Sequence, residues 1–585
     1  EGENKLACRV YRWNIGSWLE DQDFFRFSGL FRSVSLVCIP KAHVWDIRVQ
    51  TLLDDAYTDA TLVLDTSLLL GQGAEGATLH AALMDGKTVL ATAQGGGETQ
   101  HFELAVRQPQ LWSSESPRLY DLLMTVCEAD GSVVEVVRER VGFRRFEMKN
   151  GVMCLNGQRI VLKGVNRHDF CAETGRAVRR DTIRRDLLTS HYPNQRALYA
   201  LCDELGLYVM DETNLETHGV WETITRGKHP VSYALPGDRM EYLPRLTDRV
   251  DSLYERDKNH PCVLFWSCGN EAFGGRVIYE LSRHLRALDP TRLVHYEGVF
   301  NDPRYPETSD MVSRMYAPVS EIRAYLAKHR DRPFILCEYS HAMGNSNGAM
   351  HKYTEYAYEE PLYQGGFVWD FIDQSLLHKD RYGQAAYGYG GDFDDRPCDY
   401  NFSGNGIVYG DGTESPKMQE IKYNYQSIVA RVSATRAVIT NRSLFTPTSA
   451  FACVATLARD GVVIDTAALR INVPPMKSQS CHLPFKKQTE PGEYAVTLSF
   501  RLKEDTPWAS SGHEVAFAQG IYKVKGSAAT PVCRPLRVIR GDFNTGVEGN
   551  GFRVLFSDLS GGLVSYVYGG KEMLKSIPCP NFWRA

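Results

Sequence analysis

Residues 41–147 alternate apolar and polar positions along runs such as VWDIRVQTLL, DATLVLDTSLLL, TLHAALM and YDLLMTVCEA. Turn signals at Asp85-Gly86, Gly95-Gly96-Gly97 and Asp130-Gly131 separate them. Period-two alternation at this spacing predicts a β-sandwich of about 100 residues. Near Asn150-Gly151 the pattern changes to continuous apolar runs alternating with helical stretches, as in an α/β domain. The runs predict strands over Arg159–His168, Gly206–Asn214, Cys262–Glu271, Leu293–Gly298, Met311–Tyr316, Pro333–His341 and Gly365–Asp370. Helices are predicted between many of them, including Arg196–Leu205 and Leu243–Lys258. A (β/α)8 barrel needs one strand more. The gap follows Asp181–Leu188, a helix start that runs straight into Thr189–Asn194. Roughly ten further residues would be needed there for the rest of a helix and a second strand. From about residue 430 alternation returns and predicts a second sandwich to about 527, and residues 535–585 begin another β domain. Residues 1–40 hold two strand-like runs, LACRVYRW and SVSLVCIP, around the loop LEDQDFFRFSG.

Composition narrows the function classes. The chain has 585 residues, 43% hydrophobic and 23% charged, which is ordinary for a multidomain globular protein. A net charge of −5 gives no electrostatic case for nucleic acid. No apolar run approaches the ~18 residues of a membrane span. The 14 cysteines are scattered, with several inside apolar runs (Cys262, Cys268, Cys337), so reduced core thiols are expected. The chain starts at Glu1 and ends on NFWRA, and it reads as a piece of a longer protein, with a cytoplasmic location expected.

The candidate chemistry lies at strand ends. Two of the apolar runs close on a glutamate: CVLFWSCGN on Glu271, and FILC on Glu338. A carboxylate at the mouth of a buried strand is costly unless it is paired or used. Two of them suggest the paired acids of glycoside hydrolysis. His168, Glu216, His218, Asn270, Tyr316, His341 and Trp369 also fall at or just after predicted strand ends, the face on which barrel enzymes build their sites.

These segments carry a resemblance. GVNRHD, TSHYPN, DETNLETHG, WSCGNEA, ILCEYSHAMGNS, GGFVWDFIDQSL and YGGDFDDRPCDYNFSGNG resemble those of bacterial-type β-galactosidases of glycoside hydrolase family 2, in order and spacing along nearly the whole chain. The implied architecture is a TIM-type barrel flanked by immunoglobulin-like β-sandwiches with partial β domains at both ends. Residues 1–40 would be the remnant of a jelly-roll sugar-binding domain, 41–147 an Ig-like sandwich, 148–428 the catalytic barrel, 429–527 a second Ig-like sandwich, and 535–585 the start of a large C-terminal β domain. The resemblance implies Glu271 as general acid/base, Glu338 as nucleophile and Tyr316 as the hydrogen-bond donor to that nucleophile. Asn270, His168, His191 and His341 would contact sugar hydroxyls, and Trp369 would wall the galactose. Glu216, His218 and Glu271 would hold Mg²⁺, a hard ion suited to oxygen ligands. Asp23, the Phe402 carbonyl and Asn405 would hold Na⁺ (or K⁺) against the sugar. Full-length members are expected to be homo-oligomers, typically tetramers, acting on lactose and similar galactosides, with transglycosylation as a side reaction.

Departures from the family pattern carry their own expectations. The second barrel strand and its arginine are missing before TSHYPN. Cys398 stands where an asparagine often accompanies a second Mg²⁺, so no second site is expected. A barrel short of one strand leaves two unpaired edges, and impaired folding and activity are expected. The alternatives are a β-glucuronidase of the same family, which would favour basic residues near the sugar 6-position, or an inactive sugar-binding or structural remnant.

Overall fold

In a computed structural model, which describes residues 5–23, 25–179, 193–398, 400–526 and 534–580, the seven apolar runs form parallel strands. They are β1 (Leu162–Val165), β2 (Val209–Glu212), β3 (Val263–Ser267), β4 (Leu293–His295), β5 (Val312–Met315), β6 (Phe334–Tyr339) and β7 (Tyr363–Val368). Hydrogen-bonded order is β1-β7-β6-β5 in one sheet and β2-β3-β4 in the other. The two arcs join at β4 and β5 through Asp310, whose N–H donates to the Val294 carbonyl (2.9 Å) and whose carboxylate accepts the Val294 N–H (2.6 Å). Parallel strands buried on both faces need continuous apolar sequence, as Val263–Ser267 and Phe334–Tyr339 have.

At the other junction no strand bridges the two arcs among the described residues. Among the described residues β1 pairs only with β7 and β2 only with β3. A cleft of about 210 Å³ lies between Arg159–Val165 and Gly206–Tyr208, where a strand between β1 and β2 would pack. The predicted break itself, near 188–189, lies outside the described residues, as do the helix start at Asp181–Leu188 and His191.

Helix α1 (Arg196–Leu205) ends at Gly206 in the left-handed region (φ 77°), the C-terminal signature of glycine. Helices α2 (His218–Thr225), α3 (Leu243–Asp257) and α4 (Arg276–Leu288) follow. The outer core joins Leu198, Leu246, Val250, Val277 and Leu281 to Trp266 and Val294. The antiparallel strands at Phe146–Lys149 and Val152–Leu155 floor the barrel, burying Phe146, Met153 and Leu155 against Met210, Phe265, Ile335 and Phe367.

The first sandwich packs a three-stranded sheet (Ala42–Leu53, Ala60–Leu70, Thr99–Val106) on a four-stranded one (Thr88–Gly96, Thr78–Asp85, Tyr120–Cys127, Val133–Val141). It anchors the start of β3: the buried Arg144 guanidinium donates to the carbonyls of Pro261 (3.0 Å) and Val263 (2.7 Å). The opposite end of β3 leads to Glu271. The second sandwich packs a three-stranded sheet on a four-stranded one. It is tied to the first by Glu115, whose carboxylate accepts the N–H groups of Leu444, Phe445 and Thr446 at 2.6–3.0 Å. Strands between Arg537 and Glu572 form a five-stranded antiparallel sheet.

One expectation is corrected. The apolar runs LACRVYRW and SVSLVCIP form no strand; Leu6, Tyr11, Trp13, Leu36 and Val37 are exposed. β structure requires a hydrogen-bonding partner, and no described strand pairs with these runs. Among the described residues before Pro40, Glu20–Asp21 alone pairs, with Glu216–Thr217.

Candidate active site

Glu271 and Tyr316 share an unusual backbone. Both sit just past a barrel strand with φ in the left-handed region (38° and 53°), as does Ser340 (52°), two residues after Glu338. Such conformations in non-glycine residues persist only where surrounding structure over-determines them, and they cluster at functional sites. Glu271 is held on every side. Its N–H donates to Glu297 Oε1 (2.8 Å), its carbonyl accepts the Thr217 hydroxyl (3.4 Å), and its Oε2 makes a very short contact with His218 Nδ1. Glu338 ends its run on β6, and its Oε2 accepts the Tyr316 hydroxyl at 2.6 Å. Burial, reinforced by the charge and hydrogen bond of Glu338 and by the charges of Glu271 and Asp23, raises the Tyr316 pKa, so the hydroxyl keeps its proton for Glu338.

The metal candidates converge through a long-range contact. Pairing of Glu20–Asp21 with Glu216–Thr217 brings Asp23 to the site. Ligand atoms of Asp23, Glu216 and His218 lie within 4.8 Å of one another. Burial would lower the His218 pKa, but the hydrogen bond and charge of Glu271, with Asp23 and Glu216, outweigh it and raise it to about 10. His218 is therefore an imidazolium among carboxylates, with its proton where a cation would compete. Asp23 thus lies beside the Glu216 and His218 pair. Phe402 packs on the His341 ring (5.4 Å), and His341 feels the Asp23 charge. The Asn405 carbonyl accepts the Asp370 N–H (3.1 Å), and its buried Oδ1 has no hydrogen-bond partner among the described residues.

The remaining candidates line the same mouth. Asn270 donates to Glu216 Oε2 at 3.3 Å. His168 meets Trp369 edge-on at 5.3 Å, and His341 meets the Tyr316 ring at 5.8 Å. Burial lowers the His341 pKa to about 4, so the ring is neutral near pH 7. Cys262, Cys268 and Cys337 are buried free thiols.

Two acids were missed by sequence reasoning. Glu297 follows β4, and burial, reinforced by the Glu271 charge, raises its pKa to about 8. Glu212 ends β2 and accepts the Ser267 hydroxyl (2.9 Å). Both obey the rule that singled out Glu271 and Glu338, a carboxylate closing an apolar run, and applying it to every strand would have found them. Beneath the mouth His295 bridges the Ser267 (3.1 Å) and Ser313 (2.8 Å) hydroxyls, its pKa lowered by burial to about 3.

Comparison with known proteins gives concordant matches. The family model "Glycosyl hydrolases family 2, TIM barrel domain" matches residues 146–430, "Glycosyl hydrolases family 2" matches 42–144, and "Glycosyl hydrolases family 2, sugar binding domain" matches 1–40. "Beta-galactosidase, domain 4" matches 437–522. A β-galactosidase of Halalkalibacterium halodurans is 47% identical over 100% of this chain and 59% of its own length. One of Clostridium acetobutylicum is 42% identical over 100% of this chain and 66% of its own length. The chain thus spans about three fifths to two thirds of these relatives. A Bacteroides uniformis β-glucuronidase structure superposes with TM-score 0.57 at 17% identity, covering 93% of this chain and 71% of that one, a likeness of fold alone.

Proposed function

Because the chain belongs to glycoside hydrolase family 2, we propose that it acts on terminal β-galactosides by a retaining double displacement. The observation that carries this reading is the pair of strand-end acids, Glu338 with its Oε2 on the Tyr316 hydroxyl at 2.6 Å and Glu271 held by its N–H on Glu297 and its carboxylate on His218. Retention requires the two carboxyls to stand about 5–5.5 Å apart. With Oε2 held by Tyr316, we assign attack on the anomeric carbon to Oε1 of Glu338. As that bond forms, the glycosidic C–O bond breaks and Glu271 gives its proton to the leaving oxygen. Water then attacks the anomeric carbon, Glu271 takes the water proton, and the Glu338 carboxylate departs. A sugar hydroxyl in place of water gives transglycosylation. Asn270, His168 and the neutral His341 are assigned to sugar hydroxyls, and Trp369 to the apolar face of the ring.

The donor set fits a hard cation: two carboxylates and an imidazole within 4.8 Å of one another, with Glu271 on the same imidazole. Glu216, His218 and Glu271, joined by Asp23, would hold Mg²⁺, which supplies a fixed positive charge beside the acid/base when bound. For a monovalent cation, Na⁺ or K⁺, near the sugar we assign Asp23, the Phe402 carbonyl and Asn405, whose buried Oδ1 has no hydrogen-bond partner among the described residues and is an oxygen donor of the kind such an ion takes. Chelation with EDTA is therefore expected to lower kcat on nitrophenyl β-galactoside by ten-fold or so, and added Mg²⁺ to restore it. Unchanged turnover after exhaustive chelation would remove the divalent site.

Assay of the chain on nitrophenyl β-galactoside and β-glucuronide decides the substrate class. Preference for galactoside supports the reading, and preference for glucuronide replaces it with the glucuronidase reading.

A further inference from the structure

We infer that Glu297 is a positioning residue for the acid/base Glu271, holding its backbone in the left-handed conformation that aims the carboxyl at the leaving oxygen. The inference rests on the retaining reading for its catalytic consequence, but not for its geometry.

The loop after β3 is built from conformations that relax if released. φ is 138° at Gly269, 38° at Glu271, 66° at Phe273, 141° at Gly274 and 111° at Gly275. Glycine adopts such angles readily, whereas Glu271 and Phe273 do so only under constraint. The Asn270 N–H is bound to the Leu215 carbonyl at 2.9 Å, which ties the loop to the Glu216 segment. The next N–H, that of Glu271, is buried and goes to a side chain, Glu297 Oε1, at 2.8 Å. Without that acceptor a buried N–H loses its hydrogen bond, and the chain gains a reason to rotate away from φ 38°. The Glu271 carboxyl, carried on the same Cα, would move with it. A misplacement of about 1 Å costs a catalytic group about 10²-fold.

Glu297 is itself fixed. It follows β4 and leads into a 3₁₀ turn, Gly298–Phe300, with the Phe300 N–H on the Glu297 carbonyl (3.2 Å). A Cβ at Gly298 would stand 2.5 Å from Tyr296 Cε1 and 2.6 Å from the Phe273 carbonyl, so this turn is pressed against the acid/base loop. Glu297 thus transmits the position of a barrel strand to Glu271 through one hydrogen bond. Any rigid acceptor of the right length would serve, so the role is geometric and glutamine keeps it.

The test uses the full chain and three variants, Glu297→Gln, Glu297→Leu and Glu297→Asn. Asparagine retains a polar group one methylene too short to reach, and it replaces leucine if E297L fails to fold. E297Q is expected to keep kcat within a few-fold of the parent. E297L or E297N is expected to lose about 10² in kcat on alkyl or sugar leaving groups, to lose much less on dinitrophenyl galactoside, and to change KM little. A merely structural role would lower all substrates alike. Hydrogen exchange across Asn270–Ala272 gives a reading independent of turnover: faster exchange in E297L or E297N and parental protection in E297Q. Uniform loss across leaving groups, or unchanged exchange in E297L or E297N, overturns the inference. If the parent turns over no galactoside, the functional reading fails while the exchange measurement still decides the role of Glu297.

Discussion

Glu338→Gln is expected to reduce turnover of nitrophenyl β-galactoside by about 10⁴-fold or more, with folding unchanged. The amide oxygen can still accept the Tyr316 hydroxyl, now bonded to Glu338 at 2.6 Å, so packing around β6 is retained. What is lost is an oxygen nucleophile able to form and later release an ester at the anomeric carbon. The step is visible directly. A 2-deoxy-2-fluoro galactoside with an activated leaving group slows release more than attack, so one fluorosugar mass is expected on the parent peptide containing Glu338 and none on the variant. Parental turnover in E338Q, or labelling of a different residue, would remove Glu338 as nucleophile and with it the double displacement.

The strands that position these acids are legible because buried parallel strands demand continuous apolar sequence. Six of the predicted barrel strands contain the observed one, the last, predicted over Gly365–Asp370, overlaps the observed Tyr363–Val368 with its start two residues late, and Arg196–Leu205 is a helix over the predicted span. Alternation likewise marked the sandwiches, because one face of each sheet meets a core and the other meets water. The runs in residues 5–39 misled for the converse reason: local pattern reports the propensity to be a strand, and a strand exists only with a partner. The grouping of Asp23 with Glu216 and His218 was equally illegible, because it depends on Glu20 pairing with Glu216 across the whole first sandwich and the start of the barrel. Glu297 needed no long-range knowledge. It closes the Leu293–His295 run as Glu271 closes Val263–Ser267, and its consequence, a hydrogen bond to the Glu271 N–H, follows from β3 and β4 being neighbours.

Glu271→Gln is expected to separate the two halves of the reaction. Turnover of lactose, whose sugar leaving group needs a proton, should fall by about 10³–10⁴-fold. With dinitrophenyl galactoside the leaving group departs unaided, so the first step stays fast and the galactosyl ester on Glu338 accumulates. Hydrolysis of that ester is then slow, because no base takes the water proton. Azide carries no proton to remove. Its terminal nitrogen attacks the anomeric carbon, the bond to Glu338 breaks, and the carboxylate leaves. Azide is therefore expected to accelerate E271Q on the activated substrate and to yield β-galactosyl azide, with configuration retained through two inversions. The same substitution removes the partner that contributes most to raising the His218 pKa to about 10, so His218 is expected to release its proton at lower pH in E271Q. Loss of activity through a damaged cation site would affect activated and unactivated substrates together and would not respond to azide. Rescue confined to the activated substrate assigns the defect to proton transfer at Glu271, and its absence would move the acid/base role elsewhere.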